Sequence, residues 1–168
     1  MALVHSRAVS RVGQEWTLRD VLDGAGAGAL AAGAYLAAQG ADLRLFANRT
    51  DDLAIHGRVF SADPLRWRTI GTVLHCTAGA ALGVLYAGPP RRRLTATLPP
   101  WAAGVLFLLA ENTVLYPLLA IMHRYHPAWR EEVLESYYQP LTAAQQVWRH
   151  VVFGIVLGAL LGSPTADD

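Results

Sequence analysis

Six side chains in this sequence have the chemistry to bind or move something within apolar surroundings: Gln39, His75, Glu111, Asn112, Arg149 and His150. The two histidines open the same phrase. His75, Gly79 and Gly83 recur as His150, Gly154 and Gly158, so His-x3-Gly-x3-Gly occurs twice. Residues four apart share one face of a helix. Gly71, His75, Gly79 and Gly83 therefore form one stripe, and Gln146, His150, Gly154 and Gly158 form its partner. Glycines at this spacing let two helix backbones touch, with an imidazole one turn away on the same face. Each imidazole could hydrogen-bond to a neighbouring helix as part of that packing. Alternatively, two histidines on parallel helices could clamp a haem b iron from both sides. The two demands conflict, because close glycine packing shuts the gap an iron needs.

Glu111 is the one acid deep in a long apolar stretch. A charged side chain at mid-bilayer costs about 2.5–3.5 kcal/mol on insertion scales. The carboxyl must therefore be protonated, paired, or facing a wet cavity. Arg149, His75 and His150 are its candidate partners, and Asn112 beside it could bond a neutral acid. Gln39, His75, Glu111 and His150 are expected to converge in one half of the molecule, as a structural cluster or a proton or ion pathway. Pro117, six residues on, should kink the helix and loosen nearby carbonyls. Other groups carry less. His123, His126, Glu131 and Glu132 are metal-ligand types, but a loop at a membrane edge makes them interfacial. Asp51-Asp52 reads as a solvated loop pair. Cys76 faces away from His75, so no Cys/His nucleophile is formed. The Gly/Ala run over 24–33 lacks the strand and the Lys-Ser/Thr of a phosphate loop.

Four apolar helices must position these residues. The chain has 168 residues, 53% hydrophobic and 16% charged, against about 25% charged in soluble domains. A bilayer core of ~30 Å needs about 20 apolar helical residues. No charge occurs between Asp23 and Asp42 or between Arg68 and Arg91. Only Glu111 occurs between Arg93 and Arg124, and none occurs between Arg149 and Asp167. The windows predict spans over 24–43, 68–88, 99–122 and 141–162. Residues 1–23 are left as a cytoplasmic or interfacial segment with a short helix through Val9, Val12 and Trp16, and 163–168 as a tail. Trp16, Trp67, Trp101, Trp129 and Trp148 fall before or at the span edges, as an aromatic belt would. The stretch Trp129 to Tyr138 reads as a short helix lying on the surface.

The repeated phrase implies two helical hairpins related as parallel repeats, with an offset of 75 between spans two and four. An offset of 72 lays Tyr35 over Phe107 and Gln39 over Glu111. Arg91, Arg92 and Arg93 in a tight turn favour that turn in the cytoplasm, with both termini on the same side. A net charge of +1 gives no electrostatic case for nucleic acid. The single cysteine allows no internal disulfide, and no cleavable signal peptide is expected.

His75 with Tyr86, Trp101 with Gly104, Pro117-Leu118, and His150 together give 67–162 a pattern that resembles the YagU-like family of small bacterial inner-membrane proteins. That resemblance implies a multi-pass topology in the bacterial inner membrane and brings no assigned biochemistry. The loop between Pro117 and His150 is longer than the family leads one to expect. The expectation is thus an all-α, integral-membrane four-helix bundle, non-enzymatic and without cofactor. It would act as an auxiliary or interaction subunit, its partners being the lipid bilayer and a second copy or a larger membrane complex. A proton- or ion-coupled small transporter or channel and a bis-His haem b cytochrome are the alternatives.

Overall fold

The computed structural model describes residues 17–46, 50–131, 134, 136 and 138–163. They fold into seven helices, with no strand among the described residues. Four are long: α1 (Leu18–Leu45), α3 (Pro64–Ala87), α5 (Pro100–Met122) and α7 (Pro140–Leu161). All four are long and apolar enough to cross a membrane. The protein is an all-α, multi-pass membrane bundle. Three short helices join the spans: α2 (Asp52–Gly57), α4 (Pro89–Thr95) and α6 (Pro127–Arg130).

Local sequence sets the ends. Thr17 caps α1 in a capping box, its hydroxyl accepting from Asp20 N while the Asp20 carboxylate accepts from Thr17 N. Proline at the first turn opens α3, α5 and α7, where its missing N–H is not needed. Gly162, at φ 59°, ends α7. The cap at Thr17 moves the first helix boundary: Leu18 to Asp23, expected in the N-terminal segment, belong to α1. The expected helix around Val9 and Val12 lies outside the described residues.

Packing explains why α1 can span at all. Its Ala and Gly side chains gain little from lipid, yet α1 lies between α3 and α7 and packs along both. Ala27, Ala31, Ala32 and Tyr35 join Tyr86, Leu108, Phe153 and Leu157 in the main core. Glycines set the close approaches. A Cβ on Gly28 would overlap the Gly79 carbonyl, and one on Gly83 would overlap that of Gly24. In the other hairpin, Gly154 and Gly158 press on Gly104 and Pro100. These contacts correspond at an offset of 76 on the first helix and 75 on the second. Tyr35 then matches Glu111, in place of the Gln39–Glu111 match expected at 72. Gly71 serves differently from the rest of its stripe: it meets the Leu53 backbone of α2, not another span.

That contact marks the main departure from the expected loops. α2 folds back onto the end of the bundle, held where Gly57 meets the Trp67 backbone and Gly71 meets Leu53. A second core forms there from Ala54, Ile55, Trp67, Ala128, Trp129 and Leu134. Trp67 and Trp129 are 5% and 7% exposed, so they are structural and not part of a lipid-facing belt. Trp101 and Trp148 are half exposed, but Trp148 lies nine residues into α7. Trp129 and Leu134 are likewise buried in this second core, whereas Arg130, Glu131 and Tyr138 are exposed. His126 is buried as well. It caps α6 by accepting from Ala128 N at 3.2 Å, and its Nε2 sits 2.7 Å from the Ile55 carbonyl.

Candidate functional site

The deepest polar feature is Arg149, the tenth residue of α7 and wholly buried. Its Nε and Nη2 donate to Asp42 Oδ2 and Oδ1 at 2.7 and 2.6 Å, a bidentate pair. Its Nη1 donates to Asp52 Oδ2 at 3.1 Å and Gln39 Oε1 at 3.3 Å. Asp42 closes α1 and Asp52 opens α2, so one guanidinium ties three elements. Glutamines complete the set. Gln145 donates to Asp42 at 3.1 Å and Gln146 to Asp52 at 3.0 Å. Gln39 donates to Asp51 at 2.8 Å and accepts from Asp52 N at 3.0 Å. Planar bidentate pairing is what arginine does best with carboxylates. A buried ion pair holds only when its remaining donors and acceptors are met in this way.

Asp51-Asp52 is therefore no solvated pair. Burial raises the Asp52 carboxyl, but the Arg149 charge and the Tyr35 hydroxyl outweigh it and hold the group below the usual carboxylate range. Asp51 has no such partner: burial pushes it up, Asp52's charge adds to that, and the α2 amides and Gln39 only partly offset it.

The network opens onto a cavity of about 290 Å³. α1 packs on α3 and on α7, and α7 on α5, whereas α3 and α5 do not pack along each other. The cavity fills that gap, with α2 over one end. Leu82, Leu115, Leu118 and Met122 line its mouth, and Tyr35, Asp52, His75, Glu111, Asn112 and His150 its polar side. The Tyr35 hydroxyl joins the two regions, 2.5 Å from Asp52 Oδ2. Its ring packs on both imidazoles, 4.8 Å from His75 and 5.3 Å from His150.

Two polar atoms facing this space are notable. His150 Nδ1 lies 2.7 Å from the Gln146 carbonyl. A carbonyl only accepts, so Nδ1 carries a proton and Nε2 points towards Glu111. Glu111 Oε2 is 3.3 Å from that Nε2, within ion-pair distance but not aligned for a hydrogen bond. His75 is 9% exposed, and its Nε2 is buried with no hydrogen-bond partner. His56 stands beside it, ring centroids 5.6 Å apart.

His75, Glu111, Asn112 and His150 thus share one cavity, as expected, and Gln39 joins the same polar half through Arg149 and Asp52. Glu111 pairs with His150 and not with Arg149, whose charge is taken by Asp42 and Asp52. The haem arrangement does not fit: the Tyr35 ring packs against both imidazoles, and a porphyrin would have to displace it. No set of three or more metal-ligand side chains converges among the described residues. Asp42, Asp52 and Tyr35 were the members that sequence reasoning missed. Asp42 had marked the end of a charge-free window, which is the signal that could have found it.

No family model matches the chain, and neither does a curated protein or a solved structure.

Proposed function

We propose that the chain is a non-enzymatic membrane binding protein whose α3/α5 cavity holds a small, partly apolar solute. The carrying observation is the cavity's shape and chemistry: an apolar mouth between two spans, with convergent polar groups behind it. Ligand sites are usually of this kind. The glycine contacts of the other half argue against a through channel. From Gly24 to Gly83 and from Gly104 to Gly158 backbones touch, leaving no gap along either helix pair. An opening between α3 and α5 suits a protein that captures its ligand and, as an auxiliary subunit, presents it to a partner. A proton-coupled carrier is the second reading. The Glu111–His150 pair at mid-helix favours it, since one proton could move on and off there as solute binds.

The wider setting belongs to the same proposal. The matched glycine contacts and the two histidines support descent from a duplicated hairpin. The resemblance of 67–162 to YagU-like proteins and the Arg91–Arg93 turn support a bacterial inner membrane with both termini in the cytoplasm. A direct test is saturable binding of a neutral probe, 4-phenylbutanol, to protein in phosphatidylcholine nanodiscs, followed by ligand-observed NMR. Ala78→Trp, which fills the mouth, should abolish it. Absence of saturable binding by the parent protein, of 4-phenylbutanol and of its charged analogues alike, refutes the binding reading. Proton-driven flux in proteoliposomes that Glu111→Gln abolishes would select the carrier.

A further inference from the structure

We infer that this cavity takes an amphipathic organic cation: a protonated amine on a short apolar body. The inference rests on the reading of the cavity as a binding site and adds the charge of what it binds. Two observations carry it independently. The first is the pair of open polar atoms. His75 Nε2 and Glu111 Oε2 are both buried and lack hydrogen-bond partners, and both residues line the cavity. A carboxylate oxygen only accepts, and Nε2 presents a lone pair when the imidazole proton sits on Nδ1. A donor is what Glu111 Oε2 lacks, and what His75 Nε2 lacks in that tautomer; an ammonium carries three donors and no acceptor.

The second observation is the balance of charge on the elements around the site. α1 brings Asp42, α2 brings Asp51 at its cap with Asp52 and His56, and α3 brings His75. α5 brings Glu111, and α7 brings Arg149 and His150. Two of these carboxyls, Asp52 and Glu111, line the cavity itself, and no guanidinium among the described residues does. Arg149 spends its donors on Asp42, Asp52 and Gln39, leaving Glu111 with only a titratable imidazole nearby. Arg58, which follows α2, is paired with Glu131. Clefts lined by one sign of charge in low-dielectric walls concentrate ions of the other sign. The Tyr35 and Phe153 rings line the same space, and aromatic rings there favour a cation over a neutral head. The apolar body would lie along Leu82, Leu115 and Leu118 towards the mouth. A cavity of about 290 Å³ limits that body to a single ring or a short chain.

Three probes with one skeleton test this: 4-phenylbutylamine, 4-phenylbutanol and 4-phenylbutyrate. They are titrated at pH 7 onto the protein in phosphatidylcholine nanodiscs, with empty nanodiscs to subtract partitioning. The amine should bind about tenfold or more tightly than the alcohol, the worth of one charge-assisted hydrogen bond. The butyrate should bind more weakly than either. Glu111→Gln should remove the amine's advantage, so that amine and alcohol bind within about twofold of each other in that variant. Should that variant fail to assemble, N-(4-phenylbutyl)acetamide keeps the test on the parent protein, where it must bind no more tightly than the alcohol. Equal affinity of amine and alcohol, or preference for the butyrate, overturns the cation and leaves the cavity a binding site. Failure of all three to bind saturably overturns both.

Discussion

Arg149→Met is the perturbation with the largest consequence that the structure defines. The guanidinium is fully buried and makes four hydrogen bonds, two to Asp42 and one each to Asp52 and Gln39. Methionine fills a similar volume but leaves two buried carboxylates facing each other with no positive charge. Removing one partner of a buried ion pair costs about 3–5 kcal/mol. A chain of this size shifts by roughly 2–4 °C per kcal/mol, so the midpoint should fall by roughly 6–20 °C. Arg149→Lys keeps a charge but loses the planar bidentate geometry, and should fall between Met and the parent. The assay is thermal unfolding in one detergent or nanodisc, followed by intrinsic tryptophan fluorescence, since Trp148 adjoins the site in sequence and Trp67 and Trp129 lie in the core beneath α2. Midpoints for both variants within about 3 °C of the parent, or about 1 kcal/mol, would refute the reasoning. They would mean that water reaches the guanidinium and that the network is not a buried tie.

Gly83→Ala should destabilise the bundle by about 1–3 kcal/mol, as overpacking does, because its Cβ would overlap the Gly24 carbonyl; Gly26→Ala, which meets open space, should be neutral or slightly stabilising, and parallel thermal midpoints decide it. Stability should fall between pH 7 and 5 through His126. Burial holds its imidazole below the ordinary 6.5, with the charges of His56 and Arg58 adding to that against an opposing bond to Ile55. The unfolded chain then binds the extra proton first, so acid favours unfolding; the slope of midpoint against pH should flatten in His126→Gln, and an unchanged slope counts against it. In a Cys76→Ala background, Ser163→Cys should react with a membrane-impermeant thiol reagent only after cell lysis and Phe60→Cys in intact cells; the reverse pattern inverts the proposed orientation.

The four spans were legible because apolar windows without charges leave few alternatives. The observed helices start or stop within a few residues of the expected bounds, except α1, whose capping box extends it back to Leu18. The glycine stripes were legible too, since a spacing of four is local information. What was not legible was the partner each residue would meet. Asp52 opens a six-residue helix, yet its partners Gln146 and Arg149 lie 94 and 97 residues away. Nothing in the run Asp51-Asp52 says that α2 will turn inward. That turn depends on Gly57 and Gly71 admitting the backbones of Trp67 and Leu53. The same inward turn buries Trp67 and Trp129, whose positions at the span edges suggested lipid. Of the candidate site, the cavity residues on α3, α5 and α7 were found from sequence. The acids that balance Arg149 were not, because one had been read as a window boundary and the other as a loop.

The tie between Asp42 and Arg149 joins residues 107 positions apart, and that separation has a price in time. At about 5–20 residues per second, a ribosome needs roughly 5–20 s to make the stretch between them. Throughout that interval the first hairpin sits at the insertion machinery with a carboxylate awaiting its counter-ion. Nascent chains that stop short of the last helix would carry that uncompensated carboxylate permanently.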